Sequence, residues 1–428
     1  GEALGAGPVV VVHRGQSCAA RWRRATSRSR LCSVALCEHH NLIGGRWRAA
    51  EGERCFERSE TRAAGEGLDH RWPESSADDV RVAIEAAASA AQRWASATRE
   101  VRWRRLEELA QALVRTLDAH ELGRELGLNS AEYGAHLAEH ELRLFEALEM
   151  HREGPASVGV FAFGAHWSDG PAGLLARLAP RLLAGECGVL VADARAPQAA
   201  HALAAALESS TLGDGVLNVL HGETREAREA LLATPGLAGV RWKGTQIELE
   251  ALLERLGPRA TPTWELWLCA NRSLIVCERD NPSEAAERVA EQAFSRAATL
   301  SGQHPGQVAR VLCHQRIYSR LCEELRSRLA ADAEAQAPCR ALDDDLEHHV
   351  LSLWSLGVDE GATPVFGAPP TARERGRAQG VGGIVFVNVD PAGALARASR
   401  PAPVLSLVRV ASDEEGRELR TRVDLGPR

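Results

Sequence analysis

From Ser76 onward the chain alternates between two hydrophobic periods. Ser76, with Asp79 three residues on, has the form of a helix capping box. Val80, Ile84, Ala87, Ala91 and Trp94 then fall on one face of a helix. Leu106, Leu109, Leu113 and Leu117 repeat that period in a second helix, and a third is predicted over Ala138–His151. From Ser157 the pattern changes. Strands are predicted at Ser157–Phe163, Cys187–Ala192, Gly215–His221 and Leu237–Trp242, with helices near Ala172–Ala184, Gln198–Glu208 and Thr224–Ala233. Strands alternating with helices imply βαβ units, so the fold class is α/β with a mostly parallel, doubly wound sheet. Such sheets bind ligands at the carboxyl ends of their strands.

A second α/β unit begins near Ser273. It has a strand at Ser273–Val276, a helix from Pro282, a strand at Gln307–Cys313 and a helix over Ile317–Leu329. The interval Ala330–Gly380 reads as polar and irregular, and two strands, Gly383–Val387 and Pro403–Val410, close the unit. No GxGxxG follows any predicted strand, so the usual dinucleotide fingerprint is absent. There is no internal repeat.

A chain of 428 residues suggests two or three domains. Ordered structure is expected from Asn41, with residues 1–40 a poorly ordered leader. Arg14–Ser33 has the Arg- and Ser-rich, acid-free composition of a transit peptide, but an apolar run precedes it and no helical stripe accompanies it. Apolar content of 45% and charged content of 25% are ordinary for globular proteins. A net charge of −7 gives no broad nucleic-acid or anionic-membrane footprint. No apolar run is long enough for a membrane helix. The ten cysteines include no CxxC pair, so reduced thiols and a cytoplasmic location are expected. Lys243 is the only lysine. "CEHH" at Cys37–His40, and His348–His349 with Asp343–Asp345, lack a second ligand pair at metal spacing. They are expected to be solvated loops, with no metal.

The order of these segments resembles the aldehyde dehydrogenase superfamily over about Asn41–Glu415. "NLIGGRW" is similar to that family's entry strand, and "SVGVFAFGAHW…LAPRLLAGECGVLV" to its Trp-Asn loop, first cofactor helix and second strand. "LGDGVLNVLHG" resembles its third-strand motif, "GVRWKGT" its phosphate-side turn and "WEL" its general-base motif. "SGQHPGQVARV" resembles its nucleophile loop and "RPAPVLSLVRV" its late cofactor-contact strand. The resemblance implies a Rossmann-like cofactor-type domain over 41–262 and a catalytic-type domain over 263–428. It also implies NAD or NADP as cofactor where binding is retained.

The same resemblance marks departures. Two residues after Gly302–Gln303 the family has its nucleophilic cysteine; here stands Pro305. Proline has no nucleophilic atom and no backbone N–H, so one oxyanion donor is missing as well. Trp167 is followed by Ser168 where the family has the oxyanion Asn. The ribose-binding Lys and Glu positions hold Val191 and Ala194, the second glycine of the phosphate turn is Leu249, and the late ribose-binding Glu aligns with Ser399. Glu265 remains at the general-base position. Gly244 and Thr245 remain at the phosphate turn, and Trp167 beside the cofactor. Cys313 is expected to be a buried hydrophobe rather than a substitute nucleophile, and His304 a partly exposed turn residue.

The stretch before Pro155 leaves no room for the family's oligomerisation hairpin, and the chain ends before the family's last catalytic segment. The usual homo-oligomer is therefore doubtful. A protein partner or a second aldehyde dehydrogenase-like unit is expected, with no nucleic acid and no membrane. The pattern resembles family 16, whose animal members carry two tandem units and have lost the catalytic cysteine. The expectation is a pseudoenzyme, a scaffold or regulatory partner with no cofactor. The alternative is an NAD(P)-dependent aldehyde oxidoreductase with a rebuilt site.

Overall fold

The computed structural model describes residues 11–13, 35–60, 68–116, 157–256, 263–295, 302–332, 344–369 and 381–424. They fall into two compact units. One lies within Gly1–Asp118, Glu139–Trp242 and Leu256–Leu266, the other within Ala119–Ala138, Lys243–Arg255 and Trp267–Arg428. The helix expected over Ala138–His151, the interval expected to lack a hairpin, and Arg14–Ser33 lie outside the described residues.

The first unit opens with β1 (Val11–His13), β2 (Ala35–Glu38), β3 (Asn41–Ile43), β4 (Arg46–Arg48), β5 (Cys55–Glu60) and β6 (Leu68–Pro73). The expected start of order at Asn41 is corrected, because β2 already pairs in parallel with β6. Four residues are too few for a period, and the partner strand is some thirty residues away. Strands β1, β2, β6 and β5 form a small sheet. Next come α1 (Ala77–Ser96) and α2 (Arg99–Thr116). Ser76 Oγ accepts the Asp78 and Asp79 amides while Asp79 accepts the Ser76 amide, which closes the predicted capping box. The Arg102 guanidinium is buried and donates to the carbonyls of Leu183, Ala95 and Ala97, fastening the end of α1.

The alternation then runs β7 (Gly159–Gly164), α3 (Gly170–Leu183), β8 (Glu186–Val191), α4 (Pro197–Glu208), β9 (Leu217–Leu220), α5 (Glu226–Ala233) and β10 (Gly239–Gly244). Every boundary lies within two residues of the sequence prediction. Then come α6 (Gln246–Leu256), which falls in the second unit up to Arg255, and β11 (Thr263–Leu268), and the large sheet has the order β11-β10-β7-β8-β9-β3-β4. Strands β10, β7, β8 and β9 are parallel. Their apolar runs are buried on both faces, as a parallel sheet between helices requires. The direction of winding reverses between β7 and β10, the place where such sheets open a ligand crevice.

The second unit contains β12 (Arg272–Val276), α7 (Pro282–Phe294), β13 (Val308–His314), α8 (Gln315–Ala331), α9 (Asp344–Asp359), β14 (Thr363–Phe366), β15 (Ile384–Val387), α10 (Ala394–Arg397), β16 (Val404–Val410) and α11 (Asp413–Asp424). Its sheet has the order β12-β13-β16-β15-β14. On one side Val289, Leu321 and Leu325 pack against Val311, Leu405 and Leu407. On the other, Leu346, Val350 and Leu353 pack with Phe386 and Val408. The expectation that Ala330–Gly380 is irregular is thus corrected. Leu346, Val350 and Leu353 form a helical stripe, which the surrounding acids and histidines obscured. His348 and His349 sit on this helix, not in a loop.

Candidate functional site

The residues singled out in the sequence divide between the two units, and each group has its own geometry. In the first unit β7 ends at Gly164, beside the switch point. A Cβ there would lie 2.3 Å from the Trp242 ring, so only glycine lets that ring pack on the strand end. The chain then makes a short turn through Trp167, Ser168 and Asp169 into α3. His166 Nδ1 accepts the Ser168 amide at 3.3 Å and must therefore be unprotonated. The 2.8 Å contact between Nδ1 and Ser168 Oγ then has the hydroxyl donating. Ser168, at the oxyanion position, commits its O–H to its own turn, and it is 2% exposed.

The Trp167 amide donates to Asp193 Oδ2 at 2.9 Å. Asp193 also accepts the Arg195 amide at 2.9 Å and its guanidinium at 2.8 Å. Burial raises the Asp193 carboxyl, but Arg195 outweighs it and holds the group well below the usual carboxylate range. Val191 and Ala194, at the two ribose positions, flank this pair and offer no polar side-chain atom.

Glu265 lies on β11 between two arginines. Arg181 of α3 reaches Oε1 at 2.5 Å, and Arg241 of β10 approaches Oε2 at 3.4 Å. Arg241 is itself held by Glu186 at 2.8 Å and by the Thr263 carbonyl at 2.8 Å, and it stands over the Phe161 ring. Glu186 is 1% exposed; burial raises its carboxyl and the bond to Arg241 pulls the other way. Neither arginine was flagged by the sequence, because both reach Glu265 from other elements.

In the second unit, Thr245 caps α6. Its amide and hydroxyl donate to Glu248 Oε2 at 2.7 and 3.0 Å, and the Glu248 amide donates back to Thr245 Oγ1 at 3.4 Å. This is a capping box, legible as Thr-x-x-Glu yet missed in the sequence. A phosphate-binding turn offers its free amides to an anion; here a carboxylate of the chain has taken one. A Cβ on Gly244 would sit 3.1 Å from that carboxylate. Leu249 is buried behind it. Within its unit, this turn does not fit a phosphate held in the family's manner; within the first unit, Val191 and Ala194 offer a ribose no polar side-chain atom.

The Gly302–Gln307 turn is well tied within its unit. Gly302 has φ +92, and a Cβ there would meet the Pro403 backbone at 2.7 Å, so glycine is required. The Gly306 amide donates to Ala270 O at 3.0 Å, the Arg272 amide to Gln307 O at 2.8 Å and Gln307 Nε2 to Ala402 O at 2.5 Å. His304 and Pro305 are half-buried in this turn, as expected for His304. Cys313 is 0% exposed and burial pushes its thiol up to about 12, so it is not a ready nucleophile. Ser399 lies in a segment laced by Asn271 and Arg310 to the carbonyls of Ala396, Ala398 and Arg400.

Comparison with known proteins agrees with this architecture. The model of the aldehyde dehydrogenase family matches residues 47–426. The α-ketoglutarate semialdehyde dehydrogenase of Haloferax volcanii is 28% identical over 274 residues, covering 63% of this chain and 56% of that protein. The malonate-semialdehyde dehydrogenase 1 of Shouchella clausii is 24% identical over 418 residues, covering 89% and 81%. The match spans about half the length of several curated relatives. Among solved structures, an NAD-dependent aldehyde dehydrogenase from Sinorhizobium meliloti superposes with a TM-score of 0.78 at 22% identity, covering 90% of this chain and 80% of that one. At that identity the likeness concerns the fold.

Proposed function

Since the chain belongs to the aldehyde dehydrogenase family, we propose that it is a member without thiol-based hydride chemistry, acting as a scaffold or regulatory partner. The reading rests on Pro305. At the nucleophile position there is neither a nucleophilic atom nor an amide proton. Two features support it. Glu265, at the base position, is paired with Arg181 and Arg241. The amide of Thr245, the cap residue at the phosphate turn, is bound to Glu248. Its partner, on this reading, is another aldehyde dehydrogenase-like unit in the cytoplasm, as in the tandem arrangement of family 16. No helix among the described residues is long and apolar enough to cross a membrane.

The test is turnover of an aldehyde panel with NAD and with NADP. The expected result is no reduced cofactor above background. Robust production that falls on Glu265→Gln would sink the reading.

A second reading has specific support. The relatives found by comparison are dehydrogenases by name, which favours an NAD(P)-dependent aldehyde oxidoreductase with a rebuilt site. Calorimetric titration with NAD separates the two. Micromolar affinity favours the oxidoreductase, and no binding near millimolar favours the scaffold.

A further inference from the structure

The Cys37–His40 segment, expected to be a solvated loop, instead leads into the interior of the first unit. Four histidines from four separate segments meet there. His39 follows β2, His70 is on β6, His201 is on α4 and His221 follows β9. His39 is 5% exposed, His70 1% and His221 0%. The His39 ring lies flat on Trp72, with centroids 3.8 Å apart and an interplanar angle of 6°. Its Nε2 is 2.8 Å from His70 Nδ1, and its Nδ1 is 3.3 Å from His201 Nε2. His221 sits beside Trp72 and His201, with ring centroids 5.1 and 6.2 Å away. Neither of its ring nitrogens has a hydrogen-bond partner among the described residues. Among those residues no group of three or more His, Cys, Asp or Glu side chains is arranged to hold a metal ion.

The cluster joins two sheets. His39 and His70 belong to the small sheet, and His221 stands at the carboxyl end of β9 in the large one. The Ser75 amide donates to His221 O at 3.0 Å and the His221 amide to Asn41 Oδ1 at 2.9 Å, so the backbones meet at the same place. We infer that the four histidines form an acid-operated latch, which holds the small sheet to the ligand edge of the large sheet while the rings are neutral and releases it when they charge.

The hydrogen bonds set the logic. Each N···N contact needs one N–H facing one lone pair, and a single polarity serves three neutral rings. One added proton is accommodated. The tautomers rearrange, and the face of Trp72 favours an imidazolium at His39. A second proton on an adjacent ring sets N–H against N–H and places two charges a ring's width apart. The protons therefore belong to the cluster rather than to any one residue. His221 adds to the effect. Burial, with His201 beside it, lowers its proton affinity well below the ordinary value. A histidine lowered on folding contributes stability above its unfolded value, about 6.5, and that contribution is lost as pH falls.

Other ionisable groups stand on the elements around the cluster. Glu38 and His40 flank His39 along the chain. Arg71 on β6 bonds Glu57 of β5 at 3.2 Å. Glu74, after β6, accepts the Glu223 amide at 2.8 Å and also binds Thr224. Arg46 and Arg48 on β4 point to solvent on either side of Trp47. On α4 the other ionisable residue is Glu208, exposed and two turns from His201.

Hydrogen exchange on the full chain tests the latch at about pH 7.5 and about pH 5.5, on either side of the ordinary histidine value, with rates corrected for intrinsic pH dependence. Amides in 35–39 and 68–75 are expected to lose protection together, by about tenfold or more, while those of β7 and β8 do not. His221→Phe should move that loss to lower pH. Unchanged protection in the two segments, or loss spread evenly through the unit, overturns the proposal. So does stoichiometric zinc that protects both segments at neutral pH, since the cluster would then be a metal site. If the variant fails to fold, the comparison of the unaltered chain at two pH values still decides.

Discussion

The strands of the large sheet and the turns at its carboxyl edge follow opposite rules. Along β7, β8 and β9 most side chains are buried and apolar, with Phe161, Phe163, Val189, Leu190 and Val219 at 0–1% exposure. Burial of this kind makes the fold whether or not a ligand ever arrives. In the turns the side chains are polar, yet they bond one another. Asp193 holds Arg195 and the Trp167 amide, and Ser168 holds His166. A group that is to meet a ligand must hold its bonding capacity in reserve, and a ligand arriving here would have to break existing bonds first. The same relation explains why comparison with known proteins finds the fold through its buried strands.

Substitutions can sharpen the contrast. The largest effect is expected in the strand. Phe163→Ala should cost about 3–5 kcal/mol, read as a lower urea midpoint with unchanged slope. A loss under about 1 kcal/mol would mean that the sheet interior is not what holds the unit. In the turn, Asp193→Asn should cost about 1–3 kcal/mol near neutral pH. The sign follows from its lowered carboxyl. The unaltered chain carries this stability above the unfolded value and loses it as pH falls, so the two proteins should converge in acid. Parallel stability curves down to the lowest measurable pH would show that the Arg195 pairing is not the source. The smallest effect belongs to Glu248→Ala, about 0.5–1 kcal/mol for loss of half a capping box. It should leave the NAD titration unchanged, because Val191, Ala194 and Leu249 remain. Tight binding by this single variant would assign the whole obstruction to Glu248.

What the sequence revealed follows the range of the interactions. The βαβ alternation and the Ser76–Asp79 cap rest on neighbours a few residues apart, and both were readable. Helix α9 rests on an equally local period, but its polar positions are acids and histidines, which pulled the reading toward loop. The partners of Glu265 could not be read. Arg181 and Arg241 stand 84 and 24 positions away in the chain, on α3 and β10. The histidine cluster is further still from local pattern, because 182 positions separate His39 from His221 and no spacing rule connects them.

Among the described residues β11 is the last strand of its sheet. Its sequence, "TWELWL", has neither proline nor lysine, and Leu268 at its end is 51% exposed. A strand of this composition on an open edge is a template for adding strands from other molecules. Glu265, paired with Arg181 and Arg241, breaks the apolar run in the middle of it. Interrupting that run is a contribution Glu265 makes to solubility, whether or not it serves a reacting group.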